Sequence, residues 1–126
     1  MPQRALILFA HGARDPRWAE PFQRLQGIIQ AQQPDLRVAL AFLELMQPRL
    51  PELVKQLVEG GCTEVTVVPV FFGQGGHVLR DLPVLLEQLR LAHPGLRLGV
   101  APAVGEDGDV LNAIARYCIA AMDAGK

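Results

Sequence analysis

The sequence predicts an α/β domain: a three-layer αβα arrangement on a four-stranded parallel sheet. Two observations carry this. Short apolar runs alternate with segments of helical spacing, four of each, and the stretches between them are only a few residues long. Strands buried on both faces of a parallel sheet read as continuous apolar runs, and the first run, Ala5-Leu6-Ile7-Leu8-Phe9-Ala10, is of that kind. Right-handed crossovers and helices on both faces are expected.

The elements follow in order. Ala5 to Ala10 is the first strand, with a sharp polar stop at His11. Asp15-Pro16 is a helix-start signal, and Trp18, Phe22, Leu25, Ile28 and Ile29 recur behind it at helical spacing until Pro34 ends the segment. Leu36 to Leu43 is the second strand, ending at Glu44. The second helix runs from about Arg49 to Glu59, with Leu50, Leu53, Val54, Leu57 and Val58 facing inward and Gly60-Gly61 as its cap. Thr63 to Phe72 is the third strand, rich in β-branched residues. The third helix follows His77, with Leu79, Leu82, Leu85, Leu86 and Leu89 inward, and closes near Ala92-His93-Pro94-Gly95. Leu96 to Val100 is a shorter fourth strand, and Val110 to Met122 a closing helix.

Composition narrows the function. A chain of 126 residues, half of them hydrophobic, suits one domain over residues 1–126 with a real core. Its net charge of −1 argues against a broad nucleic-acid footprint, so an anionic substrate would have to meet a local basic cluster. No stretch reaches the roughly 20 apolar residues of a membrane helix, and the first apolar run is too short for a signal peptide. A cytoplasmic protein without membrane or nucleic-acid partners is expected. Cys62 and Cys118 fit no metal or redox spacing and read as buried small hydrophobes in a reducing compartment.

In an open parallel sheet, ligands gather beyond the carboxyl ends of the strands. There the predicted loops deliver His11, Arg14 and Asp15 after the first strand, Glu44 after the second, and Gln74, His77, Arg80 and Asp81 after the third. Two imidazoles from separate strands can converge on a divalent transition metal and leave positions open for a substrate to coordinate. Arginines around such a site suit carboxylates or phosphates. Each element also has a bland reading. His11-Gly12 could be a plain strand-to-loop turn, His77 an ordinary first-turn residue, Glu44 a solvated loop residue, and Gly73 to Gly76 a flexible turn or a phosphate cradle. That glycine run lacks the Lys-Ser/Thr of a P-loop and the spacing of a dinucleotide fingerprint. His93, before Pro-Gly at a helix end, reads as a dipole contact. The shared sheet edge of His11, Glu44 and His77 favours the functional reading.

Three motifs occur in order: Phe9-Ala10-His11-Gly12-Ala13-Arg14-Asp15-Pro16, Phe42-Leu43-Glu44-Leu45 with Pro48, and Pro69-Val70-Phe71-Phe72-Gly73-Gln74-Gly75-Gly76-His77-Val78 with Asp81-Leu82-Pro83. Together they resemble the short form of the CbiX/SirB family, class II chelatases that insert cobalt or iron into sirohydrochlorin. The resemblance covers essentially the whole chain. It implies that His11 and His77 bind the metal and that Glu44 assists at the same site. It implies a chelatase-like fold, half of a two-lobed class II chelatase, and a homodimer, because longer relatives fuse two such halves around one cleft. Ala13 stands where the family often has Ser, and Phe72 where Leu is usual.

The expected activity is therefore insertion of a divalent metal, cobalt first and iron or nickel next, into a sirohydrochlorin-type tetrapyrrole in cobalamin or sirohaem biosynthesis. No cofactor is expected beyond the substrate metal (Co2+, or Fe2+/Ni2+). Neutral imidazoles of His11 and His77 would hold the ion, Glu44 or a free histidine would accept pyrrole protons, and Arg14, Arg17 and Arg80 would clamp carboxylates. Gly75 and Gly76 would line the substrate. The second copy would complete the small sheet's platform and hide apolar surface near Phe71, Phe72 and Leu79. Two alternatives belong to other classes: a non-enzymatic divalent-metal carrier, and a histidine-dependent phosphoryl-transfer enzyme. The latter resembles phosphoglycerate-mutase-like proteins, which carry Arg before that histidine where this chain has Ala10.

Overall fold

The structure, a computed structural model, describes residues 3–72 and 76–125, with the backbone alone for residues 76–80. Strands β1 (Gln3–Ala10), β2 (Arg37–Phe42), β3 (Cys62–Pro69) and β4 (Arg97–Val100) form one parallel sheet in the order β2-β1-β3-β4. Helices α1 (Glu20–Gln32), α2 (Leu50–Glu59), α3 (Gly76–Ala92) and α4 (Gly108–Ala124) follow the strands in turn. The predicted class and element order hold.

The main core lies under α2 and α3. Ala5, Ile7 and Phe9 of β1 face the same side as Val65 and Val67 of β3, and Leu50, Leu53, Val54 and Leu57 of α2 close over them with Leu82, Leu86 and Leu89 of α3. The predicted inner stripes of α2 and α3 are thus correct at these positions, with Val58 and Leu85 packed at the margin. Pro51 sits in the first turn of α2, where a missing N–H costs nothing. Gly60 caps that helix by donating to Gln56 and Val58, and Gly61 turns the chain at φ 99°.

Two boundaries and one stripe differ by several residues from the sequence expectation. Asp15-Pro16 opens only a single 3-10 turn, Pro16–Ala19, and α1 begins at Glu20. A second proline, Pro21, cannot donate to a turn begun at Pro16, so the helix starts afresh there. β3 ends at Pro69 rather than Phe72: Val70 still donates to Phe9 (2.8 Å), after which the chain leaves the sheet. The stripe expected to bury α1 does not, since α1 has no buried residue and Ile28 is 56% exposed. Instead α1 rides the β2 edge through polar contacts: Gln26 donates to the Val38 carbonyl at 2.8 Å, and Gln30 accepts from the Val38 N–H at 3.2 Å.

The second face of the sheet is only partly covered. A smaller cluster of Ala10, Ala19 and Phe42, joined by Trp18, Phe22, Leu40 and Met46, fills it beside α1. Over β3 and β4, by contrast, Thr66 and Gly99 are exposed. Helix α4 does not cover them. Every residue from 111 to 125 is exposed, and α4 contacts mainly the 3-10 turn Val104–Glu106 that precedes it. Cys118, expected to be buried, is therefore exposed on α4, while Cys62 is buried as expected.

Candidate functional site

The carboxyl ends of the strands carry the predicted site, and two of its loops are fastened to each other. Beyond the last β1–β2 pair, Leu43 donates to the Ala10 carbonyl at 2.8 Å and Glu44 donates to the His11 carbonyl at 3.0 Å. Gly12 makes this possible. It sits at φ 95°, and a Cβ there would lie 1.8 Å from the Glu44 carbonyl oxygen. Only glycine allows the two backbones to approach so closely at that angle. Leu45, at φ 68°, turns the second loop away at once.

His11 is half-buried, and its ring packs on Phe71 with centroids 4.6 Å apart and planes tilted by 42°. Phe71 in turn meets Phe9 edge-on at 6.2 Å. Packing on a core-anchored aromatic thus orients the imidazole. Glu44 is exposed, one backbone hydrogen bond away from His11. β3 neighbours β1, and α3 is the helix that follows β3. Gly76 begins that helix, and His77 and Arg80 lie in its first turn and a half. The side chains of His77 and Arg80, and the whole of Gly75, lie outside the described residues.

The two arginines of the first loop differ. Arg14 is exposed. Arg17 forks onto Asp15, with its Nε 3.2 Å from both carboxylate oxygens and Nη2 2.8 Å from one of them. The hydrogen bonds from the Arg17 side chain and backbone hold the Asp15 carboxyl below its usual value, and Asp15 raises that of Arg17. A depressed carboxylate pKa means that the pair persists at neutral pH and is lost only as pH falls through that value. Arg17 thus already has a carboxylate partner.

Some residues of the site were not legible beforehand. Phe71 was read as strand and apolar surface, yet it is the seat of His11. Trp18 and Phe22, read as a helix's inner stripe, stack at 4.6 Å under the first loop, with Phe42 6.4 Å from Trp18. Beside Phe71 an apolar cavity of about 290 Å³ opens, lined by Phe22, Phe72, Val104, Val110 and Ile114 among others. The signal in the sequence was the aromatic pair Phe71-Phe72 following a proline, which ends a strand and releases the next side chains toward the edge. Among the described residues, no group of three or more His, Cys, Asp or Glu comes together in a metal-binding cluster.

A family profile described as CbiX matches residues 5–120. The chain belongs to the CbiX family. Over 82 residues it is 33% identical to a sirohydrochlorin cobaltochelatase of Methanopyrus kandleri, covering 65% of this chain and 57% of that one. The match thus spans little more than half the length of that relative. A sirohydrochlorin cobaltochelatase of Sulfurisphaera tokodaii is 29% identical over 102 residues, 81% of this chain and 80% of the other. Among solved structures, a CbiX protein of cobalamin (vitamin B12) biosynthesis from Marinobacter aquaeolei VT8 superposes with a TM-score of 0.84 at 30% identity, over 96% of this chain and 98% of that one. The sirohydrochlorin chelatase SirB of Bacillus subtilis subspecies spizizenii, solved with cobalt, shares the fold at a TM-score of 0.76 and 22% identity. The match takes 90% of this chain but 49% of SirB, so one copy corresponds to half of the longer protein.

Proposed function

We propose that this protein inserts a divalent metal into sirohydrochlorin, acting as a cobaltochelatase or ferrochelatase in the cytoplasm. The observation that supports it most is the backbone lock between the His11 and Glu44 loops, at the edge where the next strand leads into the helix of His77. The lock holds an imidazole-bearing loop and a carboxylate-bearing loop at a fixed separation, which suits a shared site. The names of its relatives, sirohydrochlorin cobaltochelatases, support this substrate and favour cobalt over iron or nickel.

In this reading, neutral His11 and His77 hold the substrate ion with few protein ligands, so that it can be passed on rather than retained. Phe71 keeps the His11 ring in one orientation during the exchange. Glu44, exposed and next to His11, accepts the pyrrole protons displaced as metal–nitrogen bonds form, and returns them to water. Arg14 and Arg80 meet substrate carboxylates, and Gly75 and Gly76 let the macrocycle approach the backbone. Arg17 joins them only by sharing or leaving Asp15. Two copies of the chain enclose one cleft as a homodimer, burying about 1,200 Å² or more in total.

Absorbance of sirohydrochlorin incubated with protein and each divalent ion tests the proposal. Metallation above the spontaneous rate is expected, fastest with cobalt. Glu44→Gln should lower the rate about 10²-fold or more while metal binding changes little, as for a lost general base. Weakened metal binding at an unchanged rate would make Glu44 a ligand instead. No acceleration with any ion would overturn the proposal.

A further inference from the structure

Leu45 is out of keeping with its surroundings in two ways. Its φ of 68° is a left-handed conformation that an L side chain resists and that glycine or asparagine adopts more readily. Among the described residues it is the only non-glycine with a positive φ. Burial does not offset that strain. Leu43 packs against the main core and Met46 against the smaller cluster, whereas Leu45 is 56% exposed. The fold needs a turn at this position, and a glycine or asparagine would make it without presenting an apolar side chain to water.

The turn is also fixed at both ends. The Glu44 carbonyl, which begins the peptide to Leu45, lies so close to Gly12 that a Cβ there would be 1.8 Å away. Phe42 closes the far end of the loop by donating to the Pro48 carbonyl at 3.0 Å. The backbone thus holds an exposed leucine in place.

A second exposed apolar residue is held in the same manner. Phe72 is 67% exposed, and a Cβ on Gly105 would lie 1.9 Å from its carbonyl oxygen. Gly105 also donates to the Phe71 carbonyl at 3.1 Å. The residue before each of the two touches His11. Glu44, before Leu45, donates to the His11 carbonyl at 3.0 Å, and Phe71, before Phe72, packs its ring on the imidazole with centroids 4.6 Å apart. β2 and β3 are the two neighbours of β1, so the chains that lead to Leu45 and Phe72 leave the sheet about 10 Å apart, with the His11 chain between them.

A tetrapyrrole is broad and flat, apolar on its faces, charged at its carboxylate rim and metal-binding at its centre. Two exposed apolar side chains flanking an imidazole suit such a face, and the exposed Arg14 of the His11 loop suits the rim. We propose that Leu45 and Phe72 seat the face of the macrocycle, one on each side of His11, so that its centre lies over the imidazole. The proposal rests on the sirohydrochlorin reading of the preceding section and names the residues that hold that substrate. Covering Leu45 with the ring offsets the strain of its turn.

Titration of metal-free sirohydrochlorin, followed by absorbance with no ion added, tests the contact apart from catalysis. Asparagine is close to leucine in size, tolerates the left-handed turn and is polar. Leu45→Asn should keep its unfolding midpoint at or above that of the wild type, yet weaken sirohydrochlorin binding about tenfold or more, as for a lost apolar contact. In metallation, KM for sirohydrochlorin should rise by a like factor with a smaller change in kcat. Leu45→Met keeps an apolar side chain and should recover most of the affinity. Phe72→Asn should weaken binding in the same direction. A Leu45→Asn protein that binds sirohydrochlorin as tightly as the wild type would overturn the assignment. So would a midpoint that falls together with affinity, which would give Leu45 to the fold, or a loss of dimer in light scattering, which would give it to a second copy. A wild type that metallates, with both asparagine variants unaltered, removes the seat alone. One that binds sirohydrochlorin through Leu45 without metallating it removes the chelatase reading alone, and one that does not bind it removes both.

Discussion

At the scale of single residues, the site depends on Gly12 as much as on the groups that do chemistry. Its φ of 95° and the 1.8 Å that would separate a Cβ from the Glu44 carbonyl mean that any side chain must push the two loops apart. Gly12→Ala should cost at least about 1–3 kcal/mol in thermal or chemical unfolding and should lower metallation with it. An unchanged midpoint would show that the lock is not needed. That His11 and Glu44 stand at the ends of adjoining strands was legible, because a histidine and a carboxylate at the ends of two apolar runs are conspicuous. The lock itself was not, because it lies in the approach of two loops distant in sequence, which no local spacing encodes. For the same reason Phe71 was read as surface: its contact with His11 exists only once β1 and β3 are side by side.

At the scale of elements, α2 matched its predicted stripe, α3 matched from Leu82 onward with the Leu79 side chain outside the described residues, and α1 did not match. The difference is physical. α2 and α3 cross over the sheet centre, where apolar spacing is converted into burial. α1 lies at the β2 edge, where glutamines bound to the strand backbone do much of the docking. Leu57→Ala, at a fully buried position, should destabilise the protein by about 2–5 kcal/mol. Ile28→Ala, at a residue 56% exposed, should stay within about 0.5 kcal/mol. Denaturant titration of the two variants checks this, and equal losses would restore α1 to the core. The strand and helix ends slipped where proline chemistry acts twice in a few residues, at Pro16 and Pro21, or closes a strand, at Pro69.

At the scale of the molecule, the alternation of strand and helix was enough to give the class, and the order β2-β1-β3-β4 sets the carboxyl ends of β1, β2 and β3 along one edge, where the loops of His11 and Glu44 begin. Coverage of the second face was not legible. Periodicity shows that α4 has an apolar side, but not that the sheet of its own chain leaves that side exposed. Metal insertion at this edge, as proposed, runs through His11. The most direct measurement is the initial rate of cobalt insertion into sirohydrochlorin by the wild type and by His11→Ala, followed by absorbance against the spontaneous rate. The variant truncates a half-buried loop residue and should keep its unfolding midpoint within a few degrees. The folded variant should fall to the spontaneous rate. A folded His11→Ala protein that metallates as fast as the wild type would contradict it.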